Sequence, residues 1–293
     1  MTGPEGLPAL DMPALDMPTG PLPADIRNPR LYRGDILLFR QSPALRVLLV
    51  RLDALAVAYL GPEPQHAHRR LAPADLAERA EALRQTVVRD LECRERLHAA
   101  LAEVGVEPDR TYRDLVKLRV QPPVASTPAA AIAPLAAHRD TWGSNVMAQV
   151  NWWAPVRPVT PARTIALFPG AFTRPVANSS AEWDLADVVR RRKAGESLSG
   201  KALTPMVEEP VDWRDALALI PRPGDLLAFS GAHLHASVPN TSDETRLSLE
   251  LRTVDGPDAA RGLGAPNVDG RAPRIAWHWF RRLDDRSPLG EMG

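Results

Sequence analysis

The stretch Gly231–Arg252, GAHLHASVPNTSDETRLSLELR, decides how the rest of the chain is read. Its second half alternates strictly. On an extended strand Arg246, Ser248, Glu250 and Arg252 point to one face, and Leu247, Leu249, Leu251 and Thr253 to the other. The leucine face suits a core, and the opposite face suits an anion or water. The preceding run LLAFSGAHLHASV has strand character and carries His233 and His235, and PNTSDE is a turn between the two runs.

Working outward, the same signals recur on both sides. DILLF at 35–39, KLRVQPP from Lys117, NVMAQVNWWAPV and TIALF at 164–168 read as strands, and Met147, Gln149, Asn151 and Trp153 share one face of theirs. Between the first two lies helical sequence. Ser42 followed by Pro43 is a cap and first-turn proline, Leu45, Leu48, Leu49, Leu52, Leu55 and Ala56 recur at helical spacing, and Gly61 is a stop. A second long helix is expected from about Pro73 to Val104, with Leu76, Leu83, Val87, Leu91 and Leu101 as its buried stripe. Ala181–Lys193 reads as a helix or insertion, Asp212–Leu219 as a short helix, and RIAWHWFRRL near the C-terminus as a strand or short helix. Helices followed by short strands with Pro/Gly turns predict a mainly β fold with flanking helices, a barrel or jelly roll buttressed by its N-terminal part.

Residues 1–25 repeat PALDM within a proline-rich segment and are expected to form a flexible tail. Residues 26–293 then form a single domain: helical support over 26–115, the β core over 116–255 and a C-terminal segment over 256–293. Lys+Arg and Asp+Glu are both 36, so nothing draws the chain to nucleic acid or an anionic membrane. A single cysteine, Cys93, excludes an intrachain disulfide and any cysteine-built metal cluster. No secretory signal pattern opens the chain, and the longest apolar run, Ala44–Leu60, is broken by Arg46, Arg51 and Asp53. A cytoplasmic protein acting on a small molecule is the expectation.

His138 and Asp140 are two residues apart, so on extended backbone both reach the same side. Two histidines and a carboxylate on one face of a metal, with the opposite positions open, suit non-haem Fe(II) and oxygen chemistry. The remaining ligand must come from elsewhere among seven histidines. A histidine followed about ten residues later by an arginine has a mechanical use: the first binds metal, the chain reverses, and the planar guanidinium grips the far carboxylate of a dicarboxylate co-substrate.

Taken together, His138-x-Asp140, a distal histidine in HASVPN and Arg246-x-Ser248 resemble the Fe(II)/2-oxoglutarate-dependent dioxygenases, specifically their phytanoyl-CoA dioxygenase-like branch. That branch shows a histidine, an asparagine five residues on and an arginine eleven residues on, and His235, Asn240 and Arg246 match. The resemblance covers residues 115–255. It implies a double-stranded β-helix (jelly roll, cupin-like) core, with His138, Asp140 and His235 as catalytic metal ligands and Arg246 with Ser248 holding 2-oxoglutarate. It further implies consumption of O2, release of succinate and CO2, and hydroxylation of an unactivated C–H bond. Related halogenases carry Ala or Gly at the carboxylate position, so Asp140 favours hydroxylation, or a variation such as desaturation or oxidative cleavage, over halogenation. His233 is the competing distal histidine, and the spacing to Asn240 and Arg246 selects His235.

Gln149 and Asn151 are candidates for hydrogen bonds to co-substrate or substrate, against a bland reading as a polar pair inside the barrel. Trp142, Trp153, His233 and Arg119 are weaker candidates for the substrate site, with core packing or a salt bridge as the alternatives. His66, His68 and His98 read as surface residues, and His278 as a pocket lid or a packing residue. The competing functions are a zinc-dependent hydrolase, which leaves Arg246 and Ser248 without a role, and a non-catalytic cupin-like binding protein. Substrate selection is expected in the proline-rich tail, the N-terminal helices and residues 171–212.

Overall fold

The computed structural model describes residues 16–126, 132–196, 198 and 200–290. In chain order the elements are α1 (Ala24–Tyr32), β1 (Leu37–Phe39), α2 (Pro43–Leu60), α3 (Pro73–Arg89), α4 (Leu91–Glu103), β2 (Thr111–Arg113) and β3 (Lys117–Gln121). They continue with α5 (Thr141–Ser144), β4 (Gln149–Pro155), β5 (Ile165–Leu167), α6 (Leu185–Lys193) and β6 (Leu217–Leu219). The chain closes with β7 (Leu226–Ser230), β8 (His235–Ser237), β9 (Arg246–Asp255), α7 (Gly256–Ala260) and β10 (Arg281–Arg282).

The strands form two antiparallel sheets. The larger runs β1-β7-β4-β9-β2-β10, with β3 also paired to β9, and the smaller runs β6-β5-β8. The alternation of β9 sorts its side chains as the sequence predicts. Leu247, Leu249 and Leu251 join Leu118, Val120, Val150 and Trp152 in a core against α2, α3 and α4, whose contribution includes Leu48, Leu52, Leu83 and Leu97. On the other face of the large sheet, Trp153, Leu227 and Phe229 meet Ile165, Leu167, Leu217 and Leu219 of the small one. The space between the sheets is therefore apolar at one end, and the polar residues of β9 occupy the remainder. A third cluster, with Trp142, Ala166, Ala236 and Leu234, covers the outer face of the small sheet.

Local chemistry explains most boundaries. Ser42 Oγ accepts from Leu45 N–H at 3.0 Å, Pro43 opens α2, and Gly61 ends it with φ +83°. The single helix expected over 73–104 is two: Asp90 leaves the helical region at φ −69°, ψ 117°, and its carboxylate caps α4 by accepting from Cys93 N–H at 2.7 Å. Hydrophobic spacing continues through this break, so periodicity alone merges the two helices. Asp212–Leu219, expected to be a short helix, is a 3-10 turn (Trp213–Asp215) followed by β6, and the C-terminal run holds both a 3-10 turn (Trp277–Trp279) and β10. Of the expected tail, residues 1–15 lie outside the described residues. Asp16 bridges to Leu37, and Leu22 N–H donates to Val104 O at 3.1 Å, so the later part of that stretch is tied to the domain. Among the described residues no helix is long and apolar enough to cross a membrane.

A candidate metal centre between the two sheets

His138, Asp140 and His235 offer one ligand atom each within 4.8 Å of one another. Backbone pairing brings them together: His138 N–H donates to His235 O at 2.9 Å and His235 N–H to His138 O at 3.0 Å, which adds a short edge to the small sheet beside β8. Their rings lie 4.3 Å apart. The Nδ1 atom of His138 is 2.8 Å from Ala136 O, and that of His235 is 3.0 Å from His233 O. A carbonyl can only accept, so each Nδ1 carries the proton and each Nε2 is left as a lone pair. Those lone pairs face Asp140, with His138 Nε2 3.8 Å from Oδ1 and His235 Nε2 4.0 Å from Oδ2.

The electrostatics favour a neutral His138 imidazole and an ionised Asp140 carboxylate. Burial, and then the neighbouring His235, lower the His138 pKa to about 3. Burial alone would raise the Asp140 carboxyl, but Arg252, His235, His138 and Lys117 together hold it well below the usual carboxylate range. A neutral imidazole at His138 and an ionised carboxylate at Asp140 are the protonation states that a divalent cation requires of such ligands.

Asp140 itself is held from behind. Asn151 Nδ2 donates to Asp140 Oδ2 at 2.6 Å, Gln149 Nε2 donates to Asn151 Oδ1 at 2.9 Å, and Arg252 Nε lies 3.6 Å from Oδ2. Arg252 is in turn fixed by Asp114, at 3.2 Å to Oδ2. Asn151 thus donates an amide hydrogen to the carboxylate, and with Gln149 it forms the polar pair that was the alternative to a bond to co-substrate or substrate. Gln149 Oε1 is buried without a partner among the described residues. The sequence reading missed Arg252 and Asp114. The β9 alternation had already put Arg252 on the face of Arg246, and its place at the far end of the strand was the signal for a second role.

Arg246, at the start of β9, is 1% exposed. One guanidinium nitrogen donates to Thr164 O at 2.6 Å and the other is 3.4 Å from Ser237 Oγ, while Nε has no partner among the described residues. No carboxylate pairs with it there, and burial pushes its pKa down to about 9. Ser248 Oγ, on the same face and fully buried, also lacks a partner. Ser237 and His235 are two apart on β8 and share a face, so Arg246 reaches β8 about 7 Å along from His235. Asn240 sets this register. Its buried amide donates to Gln121 O at 3.0 Å and Glu244 O at 2.7 Å, closing the turn that delivers β9.

The remaining candidates fall on both sides of the small sheet. Trp153 lies beneath Arg246, whose guanidinium carbon is 6.0 Å from the ring centroid. Arg119 makes a two-point pair with Glu250, at 2.6 and 2.8 Å, so its charge is already matched. His233 is fully buried, with Nε2 3.2 Å from Gly34 O and its ring 4.5 Å from Phe172, and it is not part of the triad. Trp142 is removed from the expected substrate wall: it is fully buried in the outer cluster, and its Nε1 donates to Asp269 Oδ1 at 2.6 Å. The same Asp269 meets Arg139 Nε at 3.0 Å, and Arg139 also donates to Ala171 O at 2.7 Å. This buried network fixes the residue between His138 and Asp140 and was not anticipated. His98, expected at the surface, has a buried Nε2 on α4.

No family model matches the chain, and no curated protein does so. Similar solved structures include the non-heme monooxygenase ThoJ, at 13% identity over 78% of this chain and 77% of that one with a TM-score of 0.42. EvdO2 from Micromonospora carbonacea var. aurantiaca, also solved with 2-oxoglutarate, has 14% identity over 78% and 90% with a TM-score of 0.43. The alpha-ketoglutarate dependent carbocyclase SnoK from nogalamycin biosynthesis has 17% over 85% and 96% with a TM-score of 0.42. Likeness at this level carries no residue role across, and the roles assigned to this chain rest on its own side chains.

Proposed function

We propose that the chain is an Fe(II)- and 2-oxoglutarate-dependent oxygenase, built on a double-stranded β-helix, that hydroxylates an unactivated C–H bond of a small molecule. The observation that carries this is a pairing of two sites. A triad of two histidines and an ionised carboxylate lies on the same inter-sheet face as a buried arginine that has no carboxylate partner among the described residues. A metal alone would need only the triad. The orphaned Arg246 Nε and Ser248 Oγ call for an anion with further acceptor oxygens, and the step of about 7 Å along β8 suits a diacid that spans from metal to arginine.

The donor set fits Fe(II): two imidazole nitrogens and one carboxylate leave the other positions to small molecules. His138, Asp140 and His235 would hold the metal, and Arg246 with Ser248 the distal carboxylate of 2-oxoglutarate. When bound, iron and 2-oxoglutarate supply the oxidising power, with one molecule of O2 converting 2-oxoglutarate and substrate C–H to succinate, CO2 and C–OH. The chain does the rest. Asn151 and Arg252 restrain the Asp140 carboxylate through Oδ2. The two Nδ1–H donations fix the ring orientations. Trp153, Leu227, Phe229 and their partners on the small sheet keep bulk water from the inter-sheet space.

Replacing the guanidinium by an ammonium tests the anion site. Arg246→Lys is expected to raise the 2-oxoglutarate concentration needed for half-maximal succinate release by about 10–100-fold, because the two-point grip on a carboxylate is lost. Unchanged 2-oxoglutarate dependence in this variant would sink the assignment. A zinc hydrolase would show activity indifferent to 2-oxoglutarate.

A further inference from the structure

We propose that Lys117, at the rim of the inter-sheet site, anchors the substrate, and that the substrate is a small molecule carrying a carboxylate. This deepens the oxygenase reading and rests on it. Register places the residue. In the β3–β9 pairing Lys117 lies opposite Glu250, Arg119 opposite Ser248 and Gln121 opposite Arg246. Directly paired residues share a face, so Lys117 points to the inter-sheet side, while Leu118 and Val120 enter the helix-covered core. Its partner Glu250 is one same-face step along β9 from Arg252, about 7 Å. Arg252 is the residue that faces Asp140.

Solvent reaches this face. Asp140 keeps 14% and His235 12% of its side-chain surface exposed, and Lys117 keeps 32%, so the ammonium stands nearer to water than the triad on the same side of the sheet. Asp140, Glu250 and Arg252 all lie within electrostatic reach of it. Its hold on the protein is slight. Among the described residues its one ion pair is to Asp114 at 3.6 Å, longer than a hydrogen bond. Asp114 is already committed, accepting from Arg252 N–H at 2.9 Å and lying 3.2 Å from Arg252 Nε.

Charge selects the ligand. Glu250 matches Arg119 in a two-point pair, and Asp114 matches Arg252. With the cofactors bound, Asp140 and the near carboxylate of 2-oxoglutarate would neutralise a divalent cation, and the far carboxylate would neutralise Arg246. Lys117 alone is left over. A substrate that covers the rim takes this ammonium out of water, which is unfavourable unless the substrate brings an anion to it. A neutral or cationic group at the same place is rejected for that reason. One surplus charge suits a carboxylate better than a phosphate monoester, which brings nearly two.

The test uses the full chain loaded with Mn(II) and excess 2-oxoglutarate, and follows the proton resonances of benzoate and of uncharged, similarly shaped benzamide. Broadening by Mn(II) reports binding beside the metal. Benzoate is expected to bind there at least ~10-fold more tightly than benzamide, equivalent to about 1.4 kcal/mol. Lys117→Gln should erase that preference, and Lys117→Arg should retain it. Benzoate left unbroadened, equal affinities, or a Lys117→Gln variant that still prefers the acid would each overturn the proposal. So would loss of 2-oxoglutarate binding in Lys117→Gln, which would put this residue on the co-substrate instead. Failure of Mn(II) and 2-oxoglutarate to bind to the native chain would sink the oxygenase reading itself.

Discussion

Asp140 gathers more of the site than either histidine. Its Oδ2 accepts from Asn151 at 2.6 Å and faces Arg252 at 3.6 Å, so the carboxylate is aimed before any cation arrives. Asn151→Ala is expected to lower divalent-metal affinity by about 10–100-fold, the usual cost of losing an outer partner of a ligand. Calorimetric titration with Mn(II) or Co(II) measures it, and an unchanged constant would reduce Asn151 to packing. At this scale the sequence was legible where spacing encodes geometry. His138 and Asp140 share a side because they are two apart, and His235 is separated from His233 by its distance to Arg246. It was not legible where a side chain chooses among partners: nothing in the chain's order says that Asn151 bonds a carboxylate, or that Trp142 turns outward to Asp269.

At the scale of elements, the alternation of β9 and the Ser42-Pro43…Gly61 signature of α2 could be read directly, since each is a local pattern with one structural solution. The division of 73–104 could not. Asp90 does two jobs at the break, capping α4 through Cys93 N–H at 2.7 Å and pairing with Arg51 at 2.6 Å from across α2. Asp90→Ala removes both and is expected to cost about 1–2 kcal/mol of stability, most of it from the lost cap. Urea denaturation monitored by circular dichroism checks the figure. A loss below a few tenths of a kcal/mol would mean that α3 and α4 are separated by packing alone.

For the whole molecule, helices α2–α4 stabilise the outer face of the large sheet, the inter-sheet space is left to a polar site, and titrating groups on both sides of the sheet make stability depend on pH. Burial, with Arg113 and Arg94 nearby, lowers His98 from 6.5 to about 4. Glu250 would be raised by burial, but the Arg119 charge and hydrogen bonds, with Arg246 and Lys117, hold it at about 2, against 4.5 when unperturbed. In both cases the unfolded chain takes up a proton that the native state refuses, so both effects have one sign. Stability falls as pH drops from about 6.5 towards 4 through His98, and again from about 4.5 towards 2 through Glu250. His98→Leu is expected to flatten the upper part of that limb in thermal melts across pH 4–7, and a parallel curve would contradict it.

The two-sheet arrangement with helical support was foreseeable from the order of patterns along the chain. The rim position of Lys117 was not, because it depends on the pairing of β3 with β9, a contact with no local signature. The central proposal is that one inter-sheet face holds both a metal and a 2-oxo diacid. Anaerobic titration of 2-oxoglutarate into the Fe(II)-loaded protein tests this in a single visible spectrum. A weak charge-transfer band is expected that is absent from Asp140→Ala and His235→Ala and survives in His233→Ala. No band in the native protein, together with no succinate on admission of air, would contradict it.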